Sequence, residues 1–439
     1  MATEHWGVLG GGVLGLTLAL ALAEQGKRVT LIEAADSPGG LVTPWRIGET
    51  EWDRFYHVIV SSDQRLLATL HKLGIADKVS WGRTKTLFFA GESLHPLNNV
   101  FDYLRLPTLR LIDKLRLGFN IVYGSRINNP RKLEGMSAAQ WLTRISGRRA
   151  YENLWRPLLR AKLGSNEPQA SAAFIWSIMR RFYGAREGGA KVESYGYVEG
   201  GYRTVVSAFR RHLENLGVDI VCDAPVKSVD RLSDGGVVVQ LAEGQQTFDK
   251  AVMTFAAPIA SRVCDQFNAQ ERARLQAIQY QGVVCVSLLL KRPLGGAYLT
   301  YITDESLPFT TVIEMTSLVD RQQLGGHHLV YLPKYVPCAD AFLQEADESV
   351  IGQFVAGLKK MYPDLNDEDI VTARVARTPY VAPVMTKHYS QLVPPAKTSV
   401  RDLFMISSAQ LLYGSSSVEE TMRLVDAHLP QLLGEQENV

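Results

Sequence analysis

Cysteine is scarce in this sequence, and long apolar runs are missing. The 439 residues include four cysteines, Cys222, Cys264, Cys285 and Cys338, which lie far apart and form no C-x-x-C pair. This spacing excludes a disulfide scaffold, and since no histidine lies at ligand spacing either, we predict no metal site. No segment reaches the roughly 18 consecutive apolar residues of a membrane-spanning helix. Reduced thiols are typical of the cytoplasm, so we predict a cytoplasmic protein.

The first residues of the chain lack the features of a targeting segment. No basic region precedes the first apolar run, WGVLGGG, and glycines interrupt that run. We therefore expect no signal peptide. The composition, 46% hydrophobic and 21% charged, shows no disorder signature and suits a globular protein long enough for two domains.

The net charge of +2 is spread unevenly along the chain. Residues 103–186 hold sixteen Lys or Arg against four Asp or Glu, and apolar residues such as Leu109, Ile112 and Leu115 recur there at three-residue spacing. The pattern predicts amphipathic helices with basic faces. Such faces contact solvent, an anionic membrane surface or a phosphate on a substrate, and the sequence leaves these three alternatives open. We expect no nucleic-acid partner, because no recognised binding module accompanies the charge.

A glycine-rich turn near the start of the chain carries the strongest functional signal. The strand Trp6–Leu9 leads into Gly10, Gly12 and Gly15, which fill the three positions of G-x-G-x-x-G, and a helix and a second strand at residues 28–32 follow. The first glycine permits a tight turn, the second a close approach of backbone to a pyrophosphate, and the third close helix packing. The unit therefore predicts a dinucleotide site at the helix N-terminus. A glycine turn without a ligand is the alternative.

A carboxylate closes the second strand where such a site requires one. Glu33 lies eighteen residues after Gly15, at a position that accepts hydrogen bonds from the ribose hydroxyls of an adenosine. Because the strand, helix, second strand and carboxylate fall in register, we favour the binding site over the unliganded turn. The residues predicted to contact a cofactor in this unit are Gly10, Gly11, Gly12, Val13, Leu14, Gly15, Glu33 and Ala34.

Beyond the second strand, the sequence continues with a second glycine pair, Gly39-Gly40, and then Thr43. This extension resembles the superfamily of flavin amine oxidases, protoporphyrinogen oxidases and phytoene desaturases, in which FAD lies extended along the first βαβ unit. The resemblance implies FAD as the cofactor, bound noncovalently, since the last hundred residues contain no cysteine for attachment. It also places Leu41 and Val42 beside the cofactor. Those families usually have an arginine where this sequence has Leu41.

The resemblance implies an α/β fold with two interleaved domains. One is a Rossmann-like FAD-binding domain, a βαβ unit with a β-meander, and the other is a substrate domain of helices and a mixed, mainly antiparallel sheet. Strand patterns between residues 283 and 333 predict that sheet. The predicted segments are 1–75 (FAD-binding), 76–195 (helical and basic, facing substrate or membrane), 196–280 (FAD-binding), 281–395 (substrate sheet) and 396–439 (FAD-binding).

Two later stretches are similar to parts of the family's cofactor site. Val226 begins a strand whose backbone, in the resembled fold, lies against the adenine. Near the end of the chain, the strand Leu403–Ile406 is followed by Ser408 where the families have Gly-Asp, so we predict a modified contact there. Val418 and Glu419 match the start of the last helix, whose N-terminal amides face the flavin and stabilise negative charge on it.

Two ionisable residues are predicted to take part in catalysis. His57 lies in a segment similar to one that turns in beside the flavin ring, and its near-neutral intrinsic pKa suits substrate orientation or proton movement. A core histidine is the alternative. Amine oxidases hold a water near flavin N5 with a lysine on the substrate sheet, and we prefer Lys334 over Lys291 for that position. A surface lysine is the alternative for both.

These features together predict an FAD-dependent oxidoreductase of the protoporphyrinogen oxidase, amine oxidase or desaturase type. We expect hydride transfer to flavin N5 from a C–N or C–C unit of an apolar substrate, with an anionic group on that substrate as an option. The electron acceptor is oxygen or a quinone. The expected partners are a small-molecule or lipid-like substrate and, as one hypothesis, an anionic membrane surface touched peripherally. Two alternatives remain open, a flavin mutase of the UDP-galactopyranose type and a non-catalytic FAD-fold binding protein.

Overall fold

The computed structural model describes residues 3–98, 100–105, 109–127, 129–187, 194–414 and 416–434. The strands, numbered in chain order, are β1 His5–Leu9, β2 Arg28–Ile32, β3 Pro44–Ile47, β4 Thr50–Asp53, β5 Ile59–Val60, β6 Val79–Arg83, β7 Thr86–Ala90, β8 Ser93–Pro96, β9 Ser194–Val198, β10 Asp219–Val221, β11 Val226–Arg231, β12 Val237–Leu241, β13 Gln245–Phe248, β14 Lys250–Met253, β15 Tyr280–Leu290, β16 Leu299–Ile302, β17 Thr311–Glu314, β18 His328–Pro337, β19 Ile370–Pro383 and β20 Leu403–Met405. The helices are α1 Val13–Glu24, α2 Gln64–Lys72, α3 Val100–Arg105, α4 Leu111–Ser125, α5 Ala138–Ser146, α6 Arg148–Ala150, α7 Arg156–Leu163, α8 Ala172–Glu187, α9 Tyr202–Asn215, α10 Ala257–Val263, α11 Ala269–Ala277, α12 Asp347–Met361 and α13 Val418–Leu433.

A parallel sheet forms the first domain, with the strand order β10-β2-β1-β14-β20. Its strands come from three separate parts of the chain, the start, the middle and the end. Trp6, Val8 and Leu9 of β1 are buried because the strand lies at the centre of the sheet, and α1 packs beside it. A separate antiparallel sheet, β11-β12-β13, forms the predicted meander. The predicted α/β fold with a Rossmann-like FAD-binding domain is confirmed.

The second sheet has the order β19-β15-β18-β17-β16-β7-β8 and is antiparallel except where β16 and β7 run parallel. Alternate residues of the central strand β15 point to opposite faces. Val284 and Val286 pack with Phe354 of α12, whereas Val283 and Cys285 belong to a cluster on the other face. One face of this sheet is therefore covered by α12, and the other face turns toward the first domain.

Between residues 76 and 195, the described residues form the helices α3 to α8 and also the strands β6 to β8. The hairpin of β7 and β8 extends the second sheet at its edge, so this segment is not purely helical. Helices α4, α5 and α8 pack on one another. The side chains of Arg181 and Arg186, counted in the basic region, lie outside the described part. Among the described residues, no helix is both long and apolar enough to cross a bilayer. The predicted segment boundaries remain predictions.

Candidate functional site

The glycine turn between β1 and α1 is held by backbone contacts that leave little room for side chains. Gly10 N donates to Ile32 O at 2.8 Å, which ties the turn to the end of β2. A Cβ on Gly15 would lie 1.8 Å from Gly10 O, so only glycine lets α1 approach the turn this closely. The helix thus packs directly on the turn that precedes it.

Glu33 joins the glycine turn to the end of the second strand. Its carboxylate accepts from Gly11 N at 2.6 Å and from Ala35 N at 2.9 Å. A Cβ on Gly11 would lie 2.8 Å from Glu33 Oε2, so this contact also requires a glycine. Glu33 therefore braces the turn, a role the sequence did not indicate, and it also lines the cleft beside the turn.

The second glycine pair lies against the first turn. Gly39 N donates to Gly11 O at 2.8 Å, and Gly39 forms a parallel bridge with Gly12. Gly39 and Gly40 have φ values of 136° and 60°, a region that favours glycine. A Cβ on Gly40 would also lie 3.1 Å from Gly12 Cα. The two glycine motifs are therefore one structural unit, which explains why the second pair follows the first βαβ unit.

Gly12 differs from its neighbours because the fold does not need it to be glycine. A Cβ at this position would meet no atom within 4 Å, and a φ of −66° suits any residue. Gly12 instead faces a cleft of about 800 Å³. The missing side chain therefore leaves space for a ligand rather than for another part of the protein.

The cleft is lined by all three parts of the chain that build the parallel sheet. The predicted cofactor residues on its wall are Gly10, Gly12, Val13, Leu14, Glu33, Ala34, Gly39, Gly40, Leu41, Val42, Val226, Ser408 and Val418. Three predicted residues, Gly11, Gly15 and Glu419, do not line it. Gly11 contacts Glu33, and Gly15 contacts Gly10, so both support the turn on the side away from the cleft.

The end of the chain reaches the cleft through a short turn and a helix N-terminus. Ser408 lines the cleft within the turn Ser408–Gln410, and α13 begins with Val418 on the same wall. The side chain of Glu419 turns away, since its carboxylate accepts from Leu66 N at 2.8 Å near the start of α2. The cofactor contact predicted for Glu419 was through the amides of the helix N-terminus, and it stays a prediction. The side chain of Glu419 joins two helices, and only its backbone belongs to the N-terminus that reaches the cleft.

Comparison with known proteins identifies this arrangement. The model of the flavin containing amine oxidoreductase family matches residues 15–421. The chain belongs to this family. It is 20% identical over 394 residues to 15-cis-phytoene desaturase of Arabidopsis thaliana, a match covering 84% of this chain and 68% of that protein.

Solved structures show the same fold. A putative protoporphyrinogen oxidase from Exiguobacterium sp. 255-15 aligns with a TM-score of 0.79 at 15% identity, over 99% of this chain and 100% of that one. A reduced UDP-galactopyranose mutase aligns with a TM-score of 0.74 at 15% identity, over 99% and 97% of the two chains. Because the chain belongs to the flavin containing amine oxidoreductase family, the protein is an FAD-dependent oxidoreductase.

The residues of the cleft fit FAD. The first amides of α1 have no partners within the helix, and Gly12 leaves open space beside them, so Gly10, Gly12 and Gly40 would hold the diphosphate. Glu33 would hold the ribose of the adenosine half. The N-terminus of α13 places a second set of helix amides on the wall of the same cleft, where they favour negative charge.

His57 lines the cleft and is partly buried. Its Nδ1 lies 3.0 Å from Phe55 O, and its ring lies 5.1 Å from the ring of Tyr202. Because a carbonyl oxygen can only accept, Nδ1 carries the proton and Nε2 is the unprotonated nitrogen. Burial lowers the pKa of His57 to about 4, so the ring is neutral near neutral pH. The structure thus combines the backbone partner of a core histidine with the cleft position of a functional one.

Lys334 does not lie at the cleft. It pairs with Val284 in the second sheet, and its Nζ lies 3.7 Å from the centre of the Phe342 ring, on the face that α12 covers. This position argues against the catalytic role predicted for Lys334. The neighbouring residue, Tyr335, points to the opposite face and shares a hydrogen bond of 2.7 Å with Tyr56. The error came from the period of the strand, since adjacent residues face opposite ways and the sequence does not show which face is the active one.

Arg54 is a cleft residue that the sequence analysis missed. Its Nη2 donates to Gly40 O at 2.9 Å, while its Nε is buried without a partner. Burial also lowers the pKa of Arg54 below its usual value. The guanidinium lies beside the glycine pair, close to where the family usually has an arginine and this chain has Leu41. The missing cation at residue 41 was the one available signal that another residue replaces it.

Proposed function

We propose that this enzyme removes a hydride equivalent from a C–N or C–C unit of an apolar substrate that carries an anionic group. FAD accepts the hydride when it is bound. The chain's own residues bind and orient the substrate and exclude water. The observation that carries the proposal is the lining near the glycine pair, where apolar side chains backed by a buried tyrosine cluster accompany a single cation.

The apolar wall rests on that buried aromatic cluster. Leu41 lines the cleft and packs against the cluster, in which Tyr56 and Tyr335 are hydrogen-bonded and the rings of Tyr195 and Tyr298 lie 5.4 Å apart. Burial raises the pKa of Tyr335 to about 12, so its hydroxyl is uncharged near neutral pH. A wall of this kind favours an apolar or planar substrate that hydrogen-bonds little.

The ionisable groups near this wall are suited to orientation rather than to strong acid or base catalysis. His57 is neutral, with its proton held on Nδ1 by Phe55 O. Its Nε2 can accept one hydrogen bond and so orient a substrate hydroxyl or amine. A reaction that needs only a positioned C–H bond suits this site better than one that needs a strong base. Several of the curated relatives are named as phytoene desaturases, and desaturation is an oxidation of a C–C unit.

Arg54 supports the anionic part of the proposal. Among the described residues that line the cleft, it is the only Lys or Arg. Arg54 is partly buried at the cleft wall, and a guanidinium there is stabilised by an anion that accepts from it. That anion is either the diphosphate of FAD or a carboxylate or phosphate on the substrate, and the two sources are separable by experiment.

The first experiment is anaerobic mixing of the purified holoenzyme with prenyl lipids, porphyrinogens and amines, each tested with and without an anionic group. Loss of the oxidised flavin absorption with an apolar, anionic member of the panel is the expected result. Bleaching by none of these compounds, together with conversion of a sugar nucleotide by the reduced enzyme without net oxidation, would instead favour mutase chemistry.

The second experiment replaces Arg54 with Met. If Arg54 binds the substrate, Arg54→Met keeps its FAD and raises KM about tenfold or more for the anionic substrate alone. If it binds the cofactor, the purified variant loses FAD. Arg46→Met is the matched control, because Arg46 also donates to a glycine carbonyl, at 3.1 Å, but is exposed. An Arg54 variant that behaves like the Arg46 variant in both tests would contradict the proposed anion site.

A further inference from the structure

Helices α3 and α4 carry an unusual concentration of exposed apolar side chains. Among the described residues, nine large hydrophobic side chains are prominently exposed, and six of them lie in this one stretch. They are Phe101 (71% exposed), Leu111 (71%), Leu115 (67%), Phe119 (66%), Ile112 (57%) and Tyr123 (43%). We propose that this surface, the α4 face, docks the protein on an anionic lipid bilayer.

The opposite side of α4 is anchored in the protein. Asn120 is buried and donates to Ser146 Oγ at 2.6 Å, and Gly124 O accepts from Trp176 Nε1 at 2.9 Å. These bonds attach α4 to α5 and α8. The exposure of the α4 face is therefore a property of a packed helix, and not of a segment that has failed to find its place in the core.

The apolar residues form one stripe. At 3.6 residues per turn, Leu111, Leu115, Phe119 and Tyr123 follow one another along the same side of α4, with Ile112 beside them. Phe119 and Tyr123 are stacked, with ring centres 6.1 Å apart. Isolated exposed apolar residues need no explanation, but a continuous stripe of this length marks an interaction surface.

The charges around the stripe select the partner. Residues 100–126 contain five Lys or Arg and two acids, Asp102 and Asp113. Both acids are buried and bind backbone amides, Asp102 that of Asn98 and Asp113 that of Arg110. Arg110 is exposed, as are Arg105, Arg116 and Arg126. The exposed charge of the segment is thus entirely basic, which matches a layer of anionic headgroups.

The geometry fits a helix that lies in the plane of the membrane interface. On the helical wheel, Arg116 borders one edge of the stripe and Lys114 the other. In this arrangement apolar side chains enter the acyl boundary while long basic side chains extend to the headgroups. The docking does not depend on which substrate the enzyme oxidises. Three alternatives were left open by the basic composition of residues 103–186, and the exposed stripe favours the membrane.

The test is flotation of the full-length holoenzyme with vesicles of phosphatidylcholine alone or mixed with phosphatidylglycerol. We expect the protein to float with the mixed vesicles, to bind neutral ones at least about tenfold more weakly, and to be released by salt. The double variant Leu115→Ser/Phe119→Ser should lose about tenfold or more of the binding to mixed vesicles. Arg116→Gln should lose about fivefold.

The matched control is the double variant Leu216→Ser/Val371→Ser, which removes two apolar residues that are 43% and 40% exposed elsewhere. Its binding should equal that of the wild type. Flavin content and circular dichroism establish that each variant is folded, as expected for exposed sites. No binding to mixed vesicles, or equal loss in the control, would overturn the proposal. So would a wild-type dimer that ignores vesicles and becomes monomeric in Leu115→Ser/Phe119→Ser, because the α4 face would then join two copies of the chain.

Discussion

Residues 9–43 and residues 403–421 line the same cleft, yet they form it with different atoms. In the first stretch, backbone lies against backbone, so that Gly15 faces Gly10 O and Gly40 faces Gly12 Cα. In the last stretch, side chains hold the backbone. Ser407 N donates to Gln410 Oε1 at 2.6 Å, and Gln410 Nε2 donates to Met405 O at 2.8 Å.

This difference explains why one end of the site has a clear sequence motif and the other does not. Close backbone contact admits only glycine, so the first stretch must show its glycines at fixed spacing. A turn held by side-chain hydrogen bonds can be built from several residue types. The Gly-Asp of the family can therefore be absent here while Ser408 and the N-terminus of α13 still reach the cleft.

The largest effect is expected from Gly15→Ala. The added methyl group would lie 1.8 Å from Gly10 O, so α1 must move away from the parallel sheet. We expect a loss of at least about 3 kcal/mol in the free energy of unfolding, together with loss of FAD. Urea unfolding, monitored by circular dichroism, measures this free energy. Gly352→Ala is the control, since a Cβ there meets no atom within 4 Å. Equal stability of the two variants would contradict the proposed packing.

The second effect concerns Asp53, which lies in the N-terminal part of the chain. Its carboxylate accepts a hydrogen bond from Tyr202 N at 2.8 Å. Burial raises the pKa of Asp53 to about 7. The native state therefore keeps a proton that the unfolded state releases above about pH 4, and stability falls as pH rises toward about 7. Replacing Asp53 with Asn removes this dependence. As pH rises from about 4 to about 7, the free energy of unfolding of the variant should increase by roughly 4 kcal/mol relative to that of the wild type.

Urea unfolding at a series of pH values measures this gain as a difference between the two proteins. The comparison with wild type is necessary because His57 has the opposite influence. Its pKa is lowered to about 4, so the unfolded state binds more protons between about pH 4 and about pH 6.5 and stability rises with pH there. Both proteins contain His57, and its contribution cancels in the difference. A difference that stays constant with pH would show that Asp53 is ionised in the native state.

The third prediction separates folding from binding at the glycine turn. In Gly12→Val the added Cβ meets no protein atom within 4 Å and the side chain fills the cleft, so the stability of the apoprotein should change by less than about 1 kcal/mol while FAD binding weakens about 100-fold or more. Titration of the apoprotein with FAD, followed by flavin fluorescence, measures the affinity, and thermal unfolding measures stability. Normal FAD content in the variant would place the cofactor elsewhere.

The smallest effect is expected at the end of the chain. Ser408→Ala removes one cleft hydroxyl but leaves the bonds of Ser407 and Gln410 that hold the turn. FAD affinity should fall by no more than about fivefold, the size of a single neutral hydrogen bond. The same fluorescence titration measures it. A loss as large as that of Gly12→Val would mean that the last stretch is as tightly constrained as the first, contrary to the comparison above.

Residues whose roles are local were predictable from the sequence. The glycines, Glu33 and the strand β2 were identified because a turn, a helix and a strand are set by neighbouring residues, and Arg28–Ile32 has the predicted bounds. Val226, Ser408 and Val418, which the resemblance implied, also line the cleft. Lys334 was misassigned, and Arg54 was overlooked, because their positions depend on contacts with distant parts of the chain.

The sequence by itself determined the glycine turn, because the spacing of its glycines is set by neighbouring residues, and its resemblance to a flavoenzyme superfamily implied the FAD-dependent class. Only the tertiary structure decided which face of β18 meets the first domain, because a strand places Lys334 and Tyr335 on opposite sides and the choice depends on where α12 packs. It also decided that Arg54 reaches Gly40 O. Burial of Asp102 and Asp113 likewise leaves the α4 face apolar and basic, and burial depends on the whole fold.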